Sequence, residues 1–358
     1  MATIYDVAHR AGVSPKTVSR VLNGDGPVGD KTRLVVQQAM AEMGYVPSNA
    51  ARMMRSNKSG LVGVITGAIT TAQGGSPSGL PELIIVQGIQ QVMARSGMTM
   101  MIADTAGRSD TVPGLIDTFL RHRVEGLIYV AEYHQKVVIP RVSEDTPVVL
   151  ANCYDAVGTP SILPDDEKGQ RDLVVRLIAA GHRRIAYLTL MDFLDATRLR
   201  TLGYRAALDA ADIAFDPALV QTCEMNSPEG ETQLLFDAVE RLMQMRDPPT
   251  VLCCGNDKMA LKLYGILRSR GTRVPDEVSV AGYDNHRVIA ETLFPPLTTV
   301  ELPYTAMGAR AAQRLLARIS GKGRDDDSVL RVAGPVHWRA SVTEQRVSAL
   351  QLRIVRED

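Results

Sequence analysis

The sequence predicts a small all-α headpiece and a hinge, followed by a two-lobed α/β core with parallel sheets. Within the first 46 residues, apolar side chains recur at helical spacing between capping residues. From Leu61 onward, short apolar runs alternate with helical patterns, and this alternation occurs in two successive series. A chain of 358 residues with 45% hydrophobic content is long enough to build several units around sizeable cores.

The first predicted helix follows Thr3, whose hydroxyl can cap the first turn. Ile4, Val7 and Ala11 lie on one face of it, and Gly12 ends it. We therefore expect a short helix with one apolar face, followed by a tight turn.

The second predicted helix begins after Ser14, a good N-cap, with Pro15 at the position where proline is best tolerated. Val18, Val21 and Leu22 lie on its inward face. Two short helices joined by such a turn form a helix-turn-helix unit, whose second helix enters the major groove of DNA. The outward face of this helix carries polar and basic side chains: Lys16, Thr17, Ser19 and Arg20. We expect Pro15, Lys16 and Arg20 to read base edges.

A third helix is predicted with Asp30 as its cap and Gly44 as its stop. Val35, Ala39 and Met43 stand at helical spacing along it, so it would brace the other two helices. An alternative interpretation is that these three helices form a module that binds another protein.

The charge of the chain is divided between its two parts. Residues 1–60 hold eight Lys or Arg and four Asp or Glu, a net charge of +4. The other 298 residues hold 32 and 36, a net charge of −4, so the chain as a whole is neutral. A basic headpiece suits contact with DNA phosphates, and an acidic body reduces nonspecific binding.

The headpiece resembles that of the lac repressor/gal repressor family, in which T-I-x-D-V-A-x-x-A-G-V-S-x-x-T-V-S-R-V-L-N recurs. Residues 3–23 match almost every position of this pattern. The resemblance implies sequence-specific binding to double-stranded DNA. It places DNA contacts on residues of the first two helices: Thr3, Tyr5, Ser14, Pro15, Lys16, Thr17, Ser19, Arg20 and Asn23.

A hinge resembling that of the same family follows, with the pattern Tyr45-x-Pro47-x-Asn49-x-Ala51-Arg52-x-Met54. In the family the hinge becomes helical on the operator and inserts a leucine from each subunit into the minor groove. This chain has methionine there, which is also an apolar wedge. An alternative is that the methionines only pack against the body. The implied DNA contacts of the hinge are Asn49, Ala51, Arg52 and either Met53 or Met54.

The core is predicted as two α/β lobes. The elements of the first series are strands Leu61–Ile65, Met98–Ile102, Gly126–Ala131 and Val148–Ala151 and helices Glu82–Arg95 and Leu115–Leu120. Those of the second are strands Ile185–Leu190, Val251–Cys254 and Val278–Tyr283 and helices Leu173–Ile178, Gly203–Ala211, Thr232–Met243 and Met259–Arg268.

The predicted domain boundaries follow from these elements, with a later helix Pro303–Ser320 returning to the first lobe. They are 1–46 for the headpiece, 47–60 for the hinge, 61–163 with 295–322 for the first lobe, 164–294 with 323–342 for the second, and 343–358 for a tail. Ligands of open parallel sheets bind beyond the carboxyl ends of the strands, so the cleft between the lobes is the expected pocket. The loop Gly67–Pro81 would lie at its mouth or be a plain flexible loop.

The core also resembles the lac repressor/gal repressor family, whose core is similar to type I periplasmic sugar-binding proteins. Four landmarks carry the resemblance: Ala180–Ala186, Arg200–Leu208, Gly255–Asp284 and Pro335–Ser341. It implies that four side chains hold an effector: Asn152, Arg200, Asn256 and Asp284.

Several features of this pocket remain open at the level of sequence. Many relatives carry aspartate where this chain has Asn152, and Asp284-Asn285 replaces the usual Asp-Asp. Asp257 fits a helix cap better than a ligand contact, and Arg200 could instead pair with Asp284 on the surface. The aromatic candidates for stacking on a sugar ring are Tyr129, Tyr133, Tyr154, Tyr283 and Trp338.

Other classes of protein and site have little support. The six histidines are scattered without metal-ligand spacing, so we expect neither a metal nor a cofactor. The four cysteines lack CxxC spacing, so we expect buried free thiols. The chain lacks a nucleophile elbow, a Walker loop and a Gly-x-Gly-x-x-Gly motif, and Asp165–Glu167 suits a helix N-terminus, so we expect no enzyme. No apolar run approaches the about 18 residues of a membrane span, and no signal peptide is seen, so we expect a cytoplasmic protein without membrane contact.

The resemblance implies a repressor of carbohydrate uptake or catabolism genes, released from a palindromic operator by a sugar-type effector in the cleft. A purine or another small metabolite acting as co-repressor is the alternative, and a cleft enzyme or a sugar-binding receptor is a weaker one. Two headpieces on two half-sites require a homodimer. The single heptad at Val347, Leu350 and Ile354 favours a dimer over a tetramer.

Overall fold

The computed structural model describes residues 2–24, 26–46, 58–67, 80–143, 145–225, 228–322 and 329–345. The predicted hinge contacts Asn49, Ala51, Arg52, Met53 and Met54 lie outside the described residues, as do most of the loop Gly67–Pro81 and the heptad of the tail. The described chain has a helical N-terminal region followed by two six-stranded sheets covered by helices. The predicted fold class is therefore confirmed.

The headpiece contains the three predicted helices: α1 (Ile4–Ala11), α2 (Pro15–Asn23) and α3 (Asp30–Glu42). Thr3 and Asp6 form a reciprocal capping box at the start of α1, and Gly12 ends it in the left-handed conformation. At the start of α2, the hydroxyl of Ser14 accepts a hydrogen bond from the backbone N–H of Thr17. Local sequence signals thus decide both ends of the turn between the helices.

The inward face of α3 differs from the predicted one. Val36 and Ala39 are buried in the headpiece core, whereas Val35 is 42% exposed. The helix N-cap is Gly29, and Asp30 is the first helical residue. Several residues fit a helical spacing equally well, and the stripe that becomes buried is the one that meets Val7 and Val18 of the other helices.

The first sheet has strands β1 (Leu61–Thr66), β2 (Thr99–Asp104), β3 (Leu127–Lys136), β4 (Val148–Tyr154) and β5 (Ser161–Pro164). A later strand, β11 (Val329–Val332), completes this sheet. The strand order is β11, β5, β4, β3, β1, β2, and all neighbouring strands are parallel. The register of β3 against β4 shifts between Val130 and Gln135. The helices that connect these strands are α4 (Leu80–Ser96) and α5 (Val112–Arg121).

The second sheet has strands β6 (Ile185–Thr189), β7 (Val220–Thr222), β8 (Val251–Cys254), β9 (Ser279–Asp284) and β10 (Thr298–Glu301). Its order is β12 (Val336–His337), β10, β9, β8, β6, β7, and only the β10–β12 pair is antiparallel among these neighbours. The remaining helices are α6 (Asp166–Ala179), α7 (Asp195–Asp209), α8 (Pro228–Met243), α9 (Asp257–Ser269), α10 (Arg287–Ala290) and α11 (Tyr304–Ile319).

Two strands join the opposite sheet from the one that the predicted boundaries gave them. Residues 295–322 were assigned to the first lobe, but Thr298–Glu301 pairs with β9 in the second sheet. Residues 323–342 were assigned to the second lobe, but Val329–Val332 pairs with Ser161–Pro164 in the first. The chain therefore passes from one lobe to the other next to these two strands. The sheet in which so short a strand pairs is decided by the tertiary structure and not by the strand's own sequence.

Helix α11 packs closely against α4 on the first sheet. A Cβ atom on Gly308 would stand 2.0 Å from the carbonyl oxygen of Ile85, and one on Gly88 would stand 2.2 Å from that of Thr305. Glycine at these positions allows the two backbones to approach each other. None of the described helices is both long enough and apolar enough to cross a membrane.

We predict that Gly308→Ala lowers the free energy of unfolding by about 1–3 kcal/mol, because the added methyl group must push α11 away from α4. Urea denaturation followed by circular dichroism measures the change. Gly265→Ala is the matched control, since Gly265 lies exposed in α9 with no atom within 4 Å of an added Cβ. The control should be neutral or slightly stabilising, and equal losses in both variants would contradict the prediction.

Candidate functional site

A cavity of about 780 Å³ lies between the two sheets and is lined by residues of both lobes. The four side chains predicted to hold an effector line this one cavity: Asn152, Arg200, Asn256 and Asp284. Asn152 lies near the carboxyl end of β4 in the first sheet, whereas the other three lie in or next to elements of the second lobe. The structure thus brings together residues up to 132 positions apart (284 − 152), although their effector contacts remain a prediction.

Arg200 is held almost entirely by the protein itself. Its side chain is buried, and its Nε donates to Oδ1 of Asp166 at 2.7 Å. Its Nη1 donates to the carbonyl of Gly255 at 2.6 Å, and its guanidinium lies 3.7 Å from the ring centre of Tyr283. The alternative of a surface ion pair with Asp284 is wrong, because Arg200 is only 3% exposed and pairs with Asp166.

Asp166 joins the two lobes. Its Oδ2 lies 2.8 Å from Nδ1 of His134, which is buried in β3 of the first lobe. Burial raises the pKa of this carboxyl, but the charge of Arg200 and the hydrogen bond with His134 outweigh burial, so the net shift is downward. A second interlobe hydrogen bond runs from the hydroxyl of Tyr154 to Oδ2 of Asp195 at 2.8 Å.

Asn152 holds the irregular part of β3. Its Nδ2 donates to the carbonyls of Ala131 and Glu132, at 3.0 and 3.1 Å. Its backbone φ is +61°, in the left-handed region that asparagine tolerates better than most residues. An aspartate carboxylate could not donate these two hydrogen bonds. The amide of Asn152 therefore stabilises β3 where its register against β4 shifts.

Asn256 is the N-cap of α9, the role expected for Asp257. Its Oδ1 accepts from the backbone N–H of Met259, and its Nδ2 donates to Glu224 at 3.3 Å. Asp257, the first helical residue, accepts at 2.7 Å from both the hydroxyl of Thr299 and the backbone N–H of His286. Burial raises the pKa of the Asp257 carboxyl to about 7. The prediction of a structural role agrees with these contacts, while the cap itself is one residue earlier.

Asp284 ends β9 with φ at +118°, and Asn285 follows at +51°. Burial, followed by the charge of Asp257, raises the pKa of the Asp284 carboxyl well above its ordinary value. Asn285 donates to Glu301 at 3.1 Å and accepts from Arg339 at 2.8 Å. The unusual backbone therefore turns Asp284 towards the cavity while its neighbour is held in place.

Only one of the five aromatic stacking candidates, Tyr133, lines the cavity. Tyr283 lies beneath Arg200, Trp338 lies beneath Arg176, and Tyr154 bonds to Asp195. Sequence reasoning missed the lining residue Tyr304, which begins α11.

Sequence reasoning also missed several polar lining residues, among them Glu132, His134 and Glu224. Glu132 and His134 follow the strand predicted at Gly126–Ala131, so the rule that ligands bind at strand ends could have found them. Glu224 follows Val220–Thr222, a strand of only three residues with no periodic signal.

The predicted DNA contacts of the headpiece lie in α1 and α2 and at the N-caps of these two helices. Lys16 and Arg20 are exposed, and the ring of Tyr5 is 71% exposed. The hydroxyls of Thr3 and Ser14 take part in caps, and that of Ser14 lies 2.9 Å from the hydroxyl of Thr17. Lys16, Arg20 and Tyr5 are therefore open to solvent on the surface of the headpiece.

Among the described residues, no group of three or more His, Cys, Asp or Glu side chains is arranged to hold a metal ion. Cys153, Cys223, Cys253 and Cys254 are free and buried, as predicted. Burial raises the pKa of all four thiols, which disfavours the reactive thiolate.

Glu82, in the first turn of α4, places a buried carboxyl against the end of β1. It is 3% exposed, and it accepts from the hydroxyl of Thr66 at 3.2 Å and from the backbone N–H of Gly67 at 2.8 Å. Burial raises its pKa to about 7, against the effect of these two bonds.

Comparison with known proteins gives consistent matches along the chain. Residues 3–48 match the family described as bacterial regulatory proteins, lacI family, and residues 174–342 match the periplasmic binding protein-like domain. The sucrose operon repressor of Escherichia coli is 31% identical over 354 residues, covering 95% of this chain and 100% of the relative. The HTH-type transcriptional repressor PurR of Vibrio campbellii is 33% identical over 325 residues, covering 90% of this chain and 93% of the relative.

A solved structure extends the comparison to the whole fold. The lac repressor dimer bound to operator and the anti-inducer ONPF superposes with a TM-score of 0.75 at 26% identity. The superposition covers 96% of this chain and 99% of that one.

We predict that Glu82→Gln flattens the pH dependence of stability between about pH 4.5 and pH 7. The pKa of Glu82 is raised in the folded state, so its contribution is fully present below the unfolded pKa and is lost as the pH rises through the folded value. The wild type should therefore lose about 2–3 kcal/mol more than the variant across this range. Urea denaturation at a series of pH values measures it, with exposed Glu167→Gln as control. Parallel pH profiles for wild type and Glu82→Gln would contradict the prediction.

Proposed function

Because the chain belongs to the lacI family of bacterial regulatory proteins, we propose that it represses carbohydrate uptake or catabolism genes from a palindromic operator. It is a DNA-binding transcriptional repressor and not an enzyme. A sugar-type effector in the interlobe cavity releases it from the operator. A protein that acts on the genes of a bacterium works in the cytoplasm.

The observation that carries the proposal is the position of the cavity. It lies between two lobes that contact each other through polar groups, the buried pair of His134 with Asp166 and the partly buried pair of Tyr154 with Asp195. A ligand that binds more tightly when the lobes are closed shifts the population towards that state. Since the hinge at residues 47–60 joins the headpiece to the first lobe, a change in lobe orientation is transmitted to the DNA-binding unit.

A sugar is favoured as effector by the relatives and by the chemistry of the cavity. One relative is the sucrose operon repressor, and CelR in complex with cellobiose is a structural neighbour at 27% identity and a TM-score of 0.61. Carboxyl groups such as those of Asp284 and Glu224 form hydrogen bonds with sugar hydroxyls in either protonation state. A purine co-repressor is the second candidate, because several relatives are PurR repressors.

The proposed DNA complex contains a homodimer. Two headpieces, each comprising residues 1–46, would read two half-sites, and two hinges would meet at the operator centre. Support comes from the lac repressor, whose structure on operator is a dimer. Within each headpiece the exposed Lys16 and Arg20 of α2 would read bases, and the hinge residues Asn49 to Met54 would enter the minor groove.

We predict that Arg20→Ala relaxes the sequence preference of DNA binding, because a side chain that bonds to a base edge is worth about 1–3 kcal/mol of discrimination. Lys58→Ala should weaken binding to cognate and scrambled DNA alike and reduce the slope of log affinity against log salt by about one, as expected for a phosphate contact. Fluorescence anisotropy on both DNAs at several salt concentrations measures these effects. Lys322→Ala, at an exposed lysine of the core, is the control. Equal losses on both DNAs for Arg20→Ala would refute its assignment.

We also predict reciprocal coupling between the cavity and the operator. An effector that changes DNA affinity by a given factor must itself bind with an affinity changed by the same factor when operator is present, typically about 5–150-fold. The effector is identified first by thermal unfolding against sugars, sugar phosphates, nucleosides and purines. Calorimetric titration with and without operator then measures the factor, and identical affinities would overturn the proposed regulation.

A further inference from the structure

Two aromatic side chains of the first lobe meet two carboxylates of the second. The ring centres of His134 and Tyr154 lie 6.2 Å apart, with the rings nearly perpendicular. Asp166 and Asp195 are the first residues of the helices α6 and α7. Nδ1 of His134 lies 2.8 Å from Oδ2 of Asp166, and the hydroxyl of Tyr154 donates to Oδ2 of its own partner at 2.8 Å. We call these four side chains the interlobe cluster.

The contact between His134 and Asp166 is shielded from water. The two side chains are 4% and 1% exposed. The other oxygen of Asp166 accepts from Nε of Arg200 at 2.7 Å, so this carboxylate is bonded within both lobes. A hydrogen bond to an ionised group is stronger than one between neutral groups, and it gains further where water is excluded. The pair therefore favours the arrangement in which the lobes are in contact.

The segment that carries His134 is itself held in place by the first lobe. The register of β3 against β4 shifts just before Gln135. Within the shifted segment, the amide of Asn152 donates to the carbonyls of Ala131 and Glu132, at 3.0 and 3.1 Å. These bonds fix the backbone directly before His134. The ring is thus positioned across the cleft by contacts within the chain.

The connections between the lobes are of the kind that acts as a hinge. The described chain passes from one lobe to the other after β5, after β10 and after β11. Short connections between two units absorb the rotation when such units open and close. Asp166 lies next to the first crossing, whereas Asp195 begins the following helix. Two contacts on neighbouring helices oppose a rotation that a single contact beside a hinge would allow.

We propose that the interlobe cluster is a latch that stabilises the closed arrangement of the lobes through the chain's own contacts. The inference deepens the proposed function and rests on it for its consequence. A ligand that binds only closed lobes has an apparent affinity that is reduced by the fraction of chains in that state. The latch raises this fraction, so it sets the effector concentration at which the operator is released. His134 is a positioning residue, because it acts on the cavity through Asp166 and Arg200.

The test measures the separation of the lobes directly, by double electron–electron resonance between two spin labels. The labels are attached to Val138→Cys in the first lobe and Leu261→Cys in the second. These positions are 94% and 49% exposed, whereas the four native cysteines are buried. Labelled chain is diluted with unlabelled chain, so that only distances within one chain are measured. With the latch intact, we expect one dominant distance, that of the closed lobes.

Variants of the latch should populate a longer distance. His134→Ala should lower the ratio of closed to open chains about tenfold or more, because a hydrogen bond to a charged group is lost. His134→Gln keeps a donor and should give an intermediate ratio. Tyr154→Phe should also favour the open state, and adding Asp195→Asn should open the lobes no further, since both changes remove the same bond. His122→Ala, at an exposed histidine of the first lobe, is the control and should keep the original distance.

Two results would overturn the inference. One is a set of distances in His134→Ala and Tyr154→Phe that matches those of the protein with an intact latch. The other is a dominant open state while the latch is intact. If His134→Ala does not fold, Tyr154→Phe, which removes a single hydroxyl, still decides the matter. The samples contain neither DNA nor effector, so failure of the latch is distinguishable from failure of the proposed function, which loss of DNA binding by the wild type would indicate.

Discussion

The buried guanidinium of Arg200 is the group around which the rest of the cavity is arranged. A charge removed from water is tolerated only when it is paired and its donors find acceptors. Asp166, the carbonyl of Gly255 and the ring of Tyr283 meet that requirement from three different elements. The second lobe must therefore hold the starts of α6 and α7 and the ends of β8 and β9 in one relative position.

The same constraint extends to the other lobe through Asp166. Its second oxygen is shared with His134, so the carboxylate that neutralises Arg200 also holds the lobes together. Because these groups satisfy one another, a ligand has to find its hydrogen bonds among the other lining residues of the cavity.

The sequence predicted the helices and central strands well, because their caps, glycines and apolar spacing are local. Thr3 and Gly12 mark the two ends of α1, and Ser14 and Gly24 mark those of α2, through local contacts alone. The short strands were missed or placed in the wrong lobe. A strand such as Thr298–Glu301 carries too few residues to show a period, and its sheet is chosen by the partner that leaves no backbone group unpaired.

The sequence by itself determined a basic helical headpiece, two α/β lobes and four residues that line one cavity. Only the tertiary structure decided what those four residues do, since hydrogen-bond partners such as Asp166 for Arg200 or the carbonyl of Ala131 for Asn152 are distant in sequence. It also decided that Glu132 and Tyr133 of the first lobe line the same cavity as Glu224 of the second. The type of a residue determines which hydrogen-bond donors and acceptors it has. Which of these donors and acceptors remain available to a ligand depends on the neighbours that the folded chain places around them.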